Sequence, residues 1–395
     1  MNCEPIKNPE KYGKCSALTK EKLQYALSEA LKKIDGNLET FATMFPAHAS
    51  VNNVYAAQEN NTGWNCGFWT GMLWHAYELT GDEKYKKVAM GQIPGYMKRI
   101  VEKLGVAHHD MGFVYSPSCV AAHKLTGDEE AKKAAVLAAD NLMTRYHEKG
   151  EFIQAWGPCG DDPKYYRLIV DCLLNIPLLY WPSEATGDPT YDEVAFKHYK
   201  TTVANAIRED GSAFHTFYFD PATGKPDRGV TAQGFSDDSA WSRGQAWVIY
   251  GVMFTYMYKK NPDAFEYLKP AANYYLNRLP EDYVAYWDLW FTEGDEPRDS
   301  SSAAIAACGL LEAVKWMDDT DPLKETYYNA ACHIVNGLID GYLTKDIPES
   351  NGLLLHAVYS KPGNNGVDEC NIWGDYFYME ALNRLITDNT WKLYW

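Results

Sequence analysis

Apolar residues recur along the chain in two kinds of stretch. From Glu21 to Ile34, the residues Leu23, Leu27, Ala30, Leu31 and Ile34 share one helical face. That is how a helix reads with one side on a core and the other in water. From Ser302 to Trp316 the residues are nearly all apolar and small, as in a helix buried on every side. A turn signal separates such stretches. It appears as Thr80-Gly81-Asp82, Thr126-Gly127-Asp128 and Thr186-Gly187-Asp188, with degenerate copies at Asn261-Pro262-Asp263 and Thr320-Asp321-Pro322. Gly or Pro stops one helix and Asp caps the next. The aspartates are 46, 60, 75 and 58 residues apart, long for a solenoid repeat but suited to helical hairpins with insertions.

Counting back 17 residues from each aspartate lands on Asn65, Met111, Asp171, Ala246 and Ala304, each near the start of an apolar helix. Such a helix spans about 25 Å, one layer of a domain. The pattern predicts five buried helices starting at one end, linked by outer helices, with a sixth pair supplied by the two termini. This is an all-α (α/α)6 toroid, a single domain over residues 1–395 with a short N-terminal extension of about 15 residues. Its mouth gathers the N-termini of the inner helices, whose N–H groups and dipoles favour anions. Ala213 to Phe219, followed by Asp220-Pro-Ala-Thr-Gly, predicts a hairpin at the rim.

Composition narrows the function. Hydrophobic residues make up 46% and charged residues 23%, and no stretch reads as a linker, so the chain folds. Mean hydropathy is -0.41 and no 18-residue apolar run exists, which excludes a helical membrane span. The net charge of -16, without a basic patch, excludes a nucleic-acid binder. An anionic substrate must then meet a local basic group. The N-terminus has no signal-peptide pattern. The nine cysteines include no CxxC pair, and Cys172, Cys308 and Cys332 read as buried free thiols. Both features predict a reducing cytoplasm.

Asp110 and Asp171 fall in equivalent registers at the mouth. A plain helix cap is one role for Asp171. Its neighbours Leu168, Ile169, Val170, Leu173 and Leu174 favour another, because an apolar setting raises a carboxyl pKa toward that of a general acid. His108 and His109 beside Asp110 lack the spacing of a metal site, so no metal or other cofactor is expected. Neutral histidines bonding a sugar or Asp110 fit better. Arg243 and Trp247, four apart on one helix, offer a carboxylate fork and an apolar plate for a sugar. A structural cation–π pair is their alternative role. Trp64, Trp69, Trp156 and Trp373 lie near presumed helix starts, some in the core and some around the mouth. With 13 Trp and 29 Tyr in the chain, a ring of tryptophans favours carbohydrate.

Seven segments stand in one order: Trp64-Asn-Cys-Gly-Phe-Trp69, His108-His-Asp-Met-Gly-Phe113, Gln154-Ala-Trp-Gly-Pro158, Val170-Asp-Cys-Leu-Leu-Asn175, His215-Thr-Phe-Tyr-Phe-Asp220, Trp241-Ser-Arg-Gly-Gln-Ala-Trp247 and Asn371-Ile-Trp-Gly-Asp-Tyr376. Together they resemble glycoside hydrolase family 88, the unsaturated glucuronyl hydrolases. The resemblance implies the (α/α)6 fold. It also implies removal of a 4,5-unsaturated uronic acid from lyase products of hyaluronan or chondroitin type, by hydration of the C4=C5 vinyl ether. It implies Asp171 as the acid and Asp110 as the second catalytic carboxylate. Arg243, Thr231 and the Gly229 backbone would hold the uronate, and Trp247 would stack on a sugar. Trp64, Trp156, His109, His215 and Gln233 would be further pocket contacts. The implied partner is an oligosaccharide, with no nucleic acid, membrane or obligate protein partner.

One segment departs from the family. A sulfate-receiving Ser-x-x-Ser-x-Lys follows a Val-Tyr pair in streptococcal-like members. Here Ser360 matches, Gly363 replaces the second Ser and Asn365 replaces the Lys. Lys361 is the nearby cation. An unsaturated rhamnogalacturonyl hydrolase, an inverting glycosidase on the same toroid and a non-catalytic sugar-binding protein are the alternatives.

Overall fold

The computed structural model describes residues Met1–Trp395. Outer and inner helices alternate along the chain. Outer α1 (Lys20–Asn37) precedes inner α2 (Cys66–Thr80) and outer α3 (Glu83–Val101). The second inner element is broken: α4 (Met111–Tyr115) passes through a π-helical turn, Ser116–Val120, into α5 (Ala121–Thr126). Pro117 lies in that turn and has no N–H to donate. Outer α6 (Glu129–Met143) follows. Inner α7 (Cys172–Asn175) and α8 (Pro177–Thr186) are likewise split before Pro177, then outer α9 (Pro189–Ala206) returns. Inner α10 (Ser242–Lys259), outer α11 (Asp263–Leu276), inner α12 (Ser300–Trp316), outer α13 (Pro322–Gly341) and inner α14 (Ile372–Ile386) complete the chain.

The inner elements touch in sequence, α2 to α4, α4 to α7, α7 to α10, α10 to α12 and α12 to α14, and α14 closes on α2. α1 lies over α14, so the sixth pair does come from the two ends of the chain. One apolar core runs through the whole ring. The repeated turn signal behaves as its chemistry requires. Gly81, Gly127 and Gly187 end inner helices in the left-handed region, at φ of 71°, 76° and 79°. Asp82, Asp128, Asp188 and Asp321 then cap outer helices, accepting from Lys84, Ala131, Thr190 and Leu323 amides at 2.7–3.0 Å.

Two expected starts shift. α10 begins at Ser242 and α12 at Ser300, four residues before Ala246 and Ala304. The turns at their far ends lack the Thr-Gly-Asp stop that anchored the count elsewhere. The rim hairpin forms between Thr216–Phe219 and Pro226–Val230, starting after Ala213, and gains a third antiparallel strand, Arg167–Ile169. That strand leads directly into Asp171. A second rim hairpin joins Ala357–Ser360 to Asn365–Glu369. No helix is long and apolar enough to cross a membrane. All nine cysteines are unpaired, and Cys172, Cys308 and Cys332 are buried.

Candidate active site

The inner helix starts assemble one site. Asp110 precedes α4 and Asp171 precedes α7, and neither carboxylate turns back to cap its own helix. The two turns are locked together by Asn175. Its Oδ1 accepts from Phe113 N at 2.9 Å, and its Nδ2 donates to Asp110 Oδ1 at 3.3 Å and to Asp171 O at 3.2 Å. Gly112 permits this approach: a Cβ there would lie 2.4 Å from Asn175 Cα.

His109 Nε2 stands 3.3 Å from Asp110 Oδ1 and 3.4 Å from Asp171 Oδ1. It is aligned with neither, so Asp171 Oδ1 and both ring nitrogens are left without hydrogen-bond partners in the protein. Burial drives the His109 pKa well below the usual histidine range. Burial pushes Asp171 up to about 7, with Arg243 opposing the rise. Asp110 is pushed well above the usual range by burial and then by the charge of Asp171. The pair therefore retains a proton near neutral pH. Donor atoms of His109, Asp110 and Asp171 fall within 4.8 Å of one another. These are the residues that would hold a cation, and protons compete for the same oxygens.

His108 backs the pair. Its Nδ1 accepts from Asp110 N at 3.1 Å and its Nε2 donates to Gly105 O at 2.9 Å. That pattern fits the neutral ring, and burial lowers its pKa to about 3. Trp156 stacks on His108 with centroids 4.5 Å apart and planes 11° from parallel.

Arg243, in the first turn of α10, is buried with its guanidinium stacked on Trp241 and Trp373, 4.3 and 5.0 Å from the ring centroids. The cation–π partners are thus these two rings, not Trp247. Its terminal nitrogens donate to Asp299 Oδ2 (2.9 Å), Val358 O, Tyr359 O (2.7 Å) and Gln233 Oε1 (2.9 Å). The open fork expected from sequence is therefore occupied by protein acceptors. Asp299, before α12, is fully buried and also accepts from Ser301 N at 3.1 Å. His215 faces Gln233 Nε2 at 3.5 Å. Burial, then the Arg243 charge, lowers the His215 pKa to about 3.

These groups surround a cavity of about 450 Å³. Trp64, Asp110, Trp156, Asp171, His215, Gln233, Arg243 and Trp247 line it as sequence predicted; Ile169, Trp241 and Tyr359 join them. Trp69 is core, with its indole N–H donating to Phe41 O at 2.9 Å. Trp373 is fully buried behind Trp64, with centroids 4.9 Å apart.

The remaining expected residues stand outside the cavity lining. His109 lies behind the two aspartates. Gly229 packs under Phe214, whose ring would meet a Cβ there at 2.4 Å. Thr231 Oγ1 accepts from Gly234 N at 2.7 Å. On the second rim hairpin, Ser360 Oγ accepts from Gly363 N at 3.2 Å. Sequence reasoning missed Tyr359, although it belongs to the Val-Tyr pair before Ser360. It also missed Asp299, whose signal was an Asp placed directly before an apolar helix rich in small residues.

Comparison with known proteins places the chain in a family. The Glycosyl Hydrolase Family 88 pattern matches residues 37–385. The unsaturated chondroitin disaccharide hydrolase of Streptococcus agalactiae serotype III is 48% identical over 396 residues, covering 100% of this chain and 98% of that protein. The unsaturated glucuronyl hydrolase of Bacillus sp. is 44% identical over 365 residues, covering 92% of this chain and 96% of that one. The crystal structure of unsaturated glucuronyl hydrolase from Streptococcus agalactiae superposes with a TM-score of 0.96 at 47% identity, covering 100% and 99% of the two chains. From the family pattern, the full-length similarity and the shared ring of helices, the chain belongs to glycosyl hydrolase family 88.

Proposed function

We propose that this enzyme removes the 4,5-unsaturated uronic acid from the non-reducing end of glycosaminoglycan oligosaccharides of hyaluronan or chondroitin type. The observation that carries the reading is the carboxyl pair at a tryptophan-lined cavity, Asp110 buried and Asp171 half-buried, with Asp171 raised to about 7. Relatives named for this chemistry support it: the streptococcal and Bacillus proteins above, and a Streptococcus agalactiae mutant enzyme solved in complex with dGlcA-GalNAc6S.

In this reading Asp171, protonated, gives its proton to C4 of the vinyl ether. Positive charge develops between C5 and the ring oxygen. Water adds at C5 and returns its proton to Asp171. The resulting hemiketal opens and the neighbouring sugar leaves. An acid with a pKa near the working pH suits both transfers. Asp110 bonds ring hydroxyls, and once the shared proton has gone to C4 the pair carries the negative charge that steadies the cation. Trp247 and Trp156 offer apolar faces to the sugars, and Trp64 closes one side.

The substrate carboxylate meets the Arg243 charge. Gln233 is the half-buried side chain among the four acceptors on Arg243. Turning it away frees one N–H for the uronate and lets the Gln233 amide donate as well. Thr231 and the Gly229 backbone shape the loop that carries Gln233. Ser360 and Gly363 sit on the rim, where the neighbouring amino sugar would emerge.

The test is direct. An unsaturated chondroitin disaccharide mixed with the protein should lose the ultraviolet absorbance of its conjugated enoate. Unchanged absorbance would leave only sugar binding. Faster loss with an unsaturated rhamnogalacturonan disaccharide would move the substrate to pectin, and cleavage of a saturated glucuronide would replace vinyl-ether hydration with ordinary hydrolysis.

A further inference from the structure

Beside the cavity the protein exposes a second aromatic surface that the chemistry above does not use. Trp290 is 64% and Phe235 52% exposed, among the most exposed large apolar side chains of the molecule. They face each other near-parallel, with centroids 6.3 Å apart and planes at 29°. Phe291 and the buried Trp287 brace Phe235 edge-on at 5.0 and 6.4 Å. Leaving such rings in water is unfavourable unless they serve recognition.

The surface is held rigidly. Asp288 is fully buried, and its carboxylate accepts from Phe235 N at 2.9 Å, Ser239 Oγ at 2.7 Å and Trp290 N at 2.9 Å. One carboxylate thus fixes the backbone at both aromatic positions. The same segment is tied to the cavity wall, since Leu289 N donates to Ala240 O at 2.8 Å and Asp288 bridges Trp241. Trp241 lines the cavity, and Gln233, two residues before Phe235, lines it too. Two residues reach at most about 7 Å, roughly the length of one sugar unit.

We infer that Phe235 and Trp290 form a stacking platform for the sugar units that follow the unsaturated residue in a longer oligosaccharide. This rests on reading the cavity as the unsaturated-uronate site. The occupant is a continuation of the same substrate chain, because the platform is continuous with the cavity wall. Asp237, Asp238, Glu293 and Asp295 stand exposed on the two loops that carry the rings. Their charge repels sulfate and carboxylate alike, so the platform takes the neutral, unsulfated amino sugars of the chain by their apolar ring faces.

The test compares an unsulfated unsaturated chondroitin tetrasaccharide, whose three following units can cover both rings, with the matching disaccharide, which offers the platform only one. The wild type should show a higher kcat/KM on the tetrasaccharide. In Trp290→Ala and Phe235→Ala that ratio should fall roughly three- to tenfold, mainly through KM, as loss of one stacking contact requires. Both side chains are exposed, so truncation should spare the fold, which circular dichroism checks. Equal ratios in wild type and variants would overturn the platform while leaving the proposed reaction in place. A changed oligomeric state with an unchanged ratio would overturn it in favour of a protein interface. No turnover of the disaccharide by the wild type would remove the reading beneath it, and this is seen before any variant is made.

Discussion

The two rims of the barrel use the same residue in opposite ways. On the closed rim Asp82, Asp128, Asp188 and Asp321 spend their carboxylates on the amides of the helices they start. Asp82 and Asp188 are also held below the ordinary aspartate range by hydrogen bonds to Lys84 and Thr190. On the open rim Asp110 and Asp171 also precede helices but make no such bond, and burial drives both pKa values upward. A carboxylate that caps a helix is fixed as an anion and contributes stability. One denied that bond and partly withdrawn from water holds its proton to higher pH, at the expense of stability. Asp299 stands between the two: it caps α12 and also carries the charge of Arg243.

The contrast breaks most sharply at Asp171. Asp171→Asn should lower kcat by roughly a hundred- to ten-thousandfold with the fold intact, read by enoate absorbance and circular dichroism. Substantial turnover in that variant would take the acid role from Asp171. Asp299→Asn should cost about 3–5 kcal/mol in chemical denaturation, because it strands a buried guanidinium charge. A loss below 1 kcal/mol would show that the backbone carbonyls suffice.

Stability against pH sharpens the comparison. Asp171 has a folded pKa of about 7, above the unfolded value of about 3.9. The folded state holds the extra proton between those values. Its stability therefore declines as pH rises through that window and levels off above it. Asp171→Asn should thus raise Tm relative to wild type at pH 8, with the gap closing toward pH 4. A constant gap would mean that the carboxyl is not perturbed.

The second rim hairpin gives a smaller effect. It lacks the second Ser and the Lys of the sulfate-receiving pattern, so unsulfated unsaturated disaccharides should be turned over at least as well as 6-sulfated ones. Gly363→Ser with Asn365→Lys should shift that preference by about tenfold toward the sulfated form, the worth of one charge-assisted bond. A strong wild-type preference for the sulfated form, lost in Lys361→Ala, would assign the role to Lys361 instead. The smallest effect belongs to the closed rim. Asp128→Ala should cost about 1 kcal/mol of stability and leave kcat/KM unchanged.

How much was legible follows the range of the interactions. Thr-Gly-Asp turns act over a few residues, and they gave the helix pairs and the register of Asp110 with Asp171. The apolar flanks of Asp171 are equally local, and they foretold its raised pKa. Arg243 was placed at the cavity, but its partners were not. Asp299, Val358 and Tyr359 lie 56, 115 and 116 residues away in the chain, and helical spacing pointed only to Trp247. Gly229 and Thr231 came from resemblance alone; Gly229 lies in the rim strand, and the hydrogen bonding of Thr231 is decided by a loop with no periodic pattern.

Trp64 and Trp373 come from opposite ends of the chain, yet their rings meet against the cavity where α14 closes on α2. The segments from Asp110 to Trp247 supply most of the cavity lining, but Arg243 is held there by Asp299 before α12 and by Trp373 in α14, so the site is complete only when the ring closes. Contacts between such distant segments bear the largest loop-closure entropy and form slowly. During refolding, helix content should recover first and hydrolysis last. Catalysis in this architecture is a clock that reads the final joining of the chain's two ends.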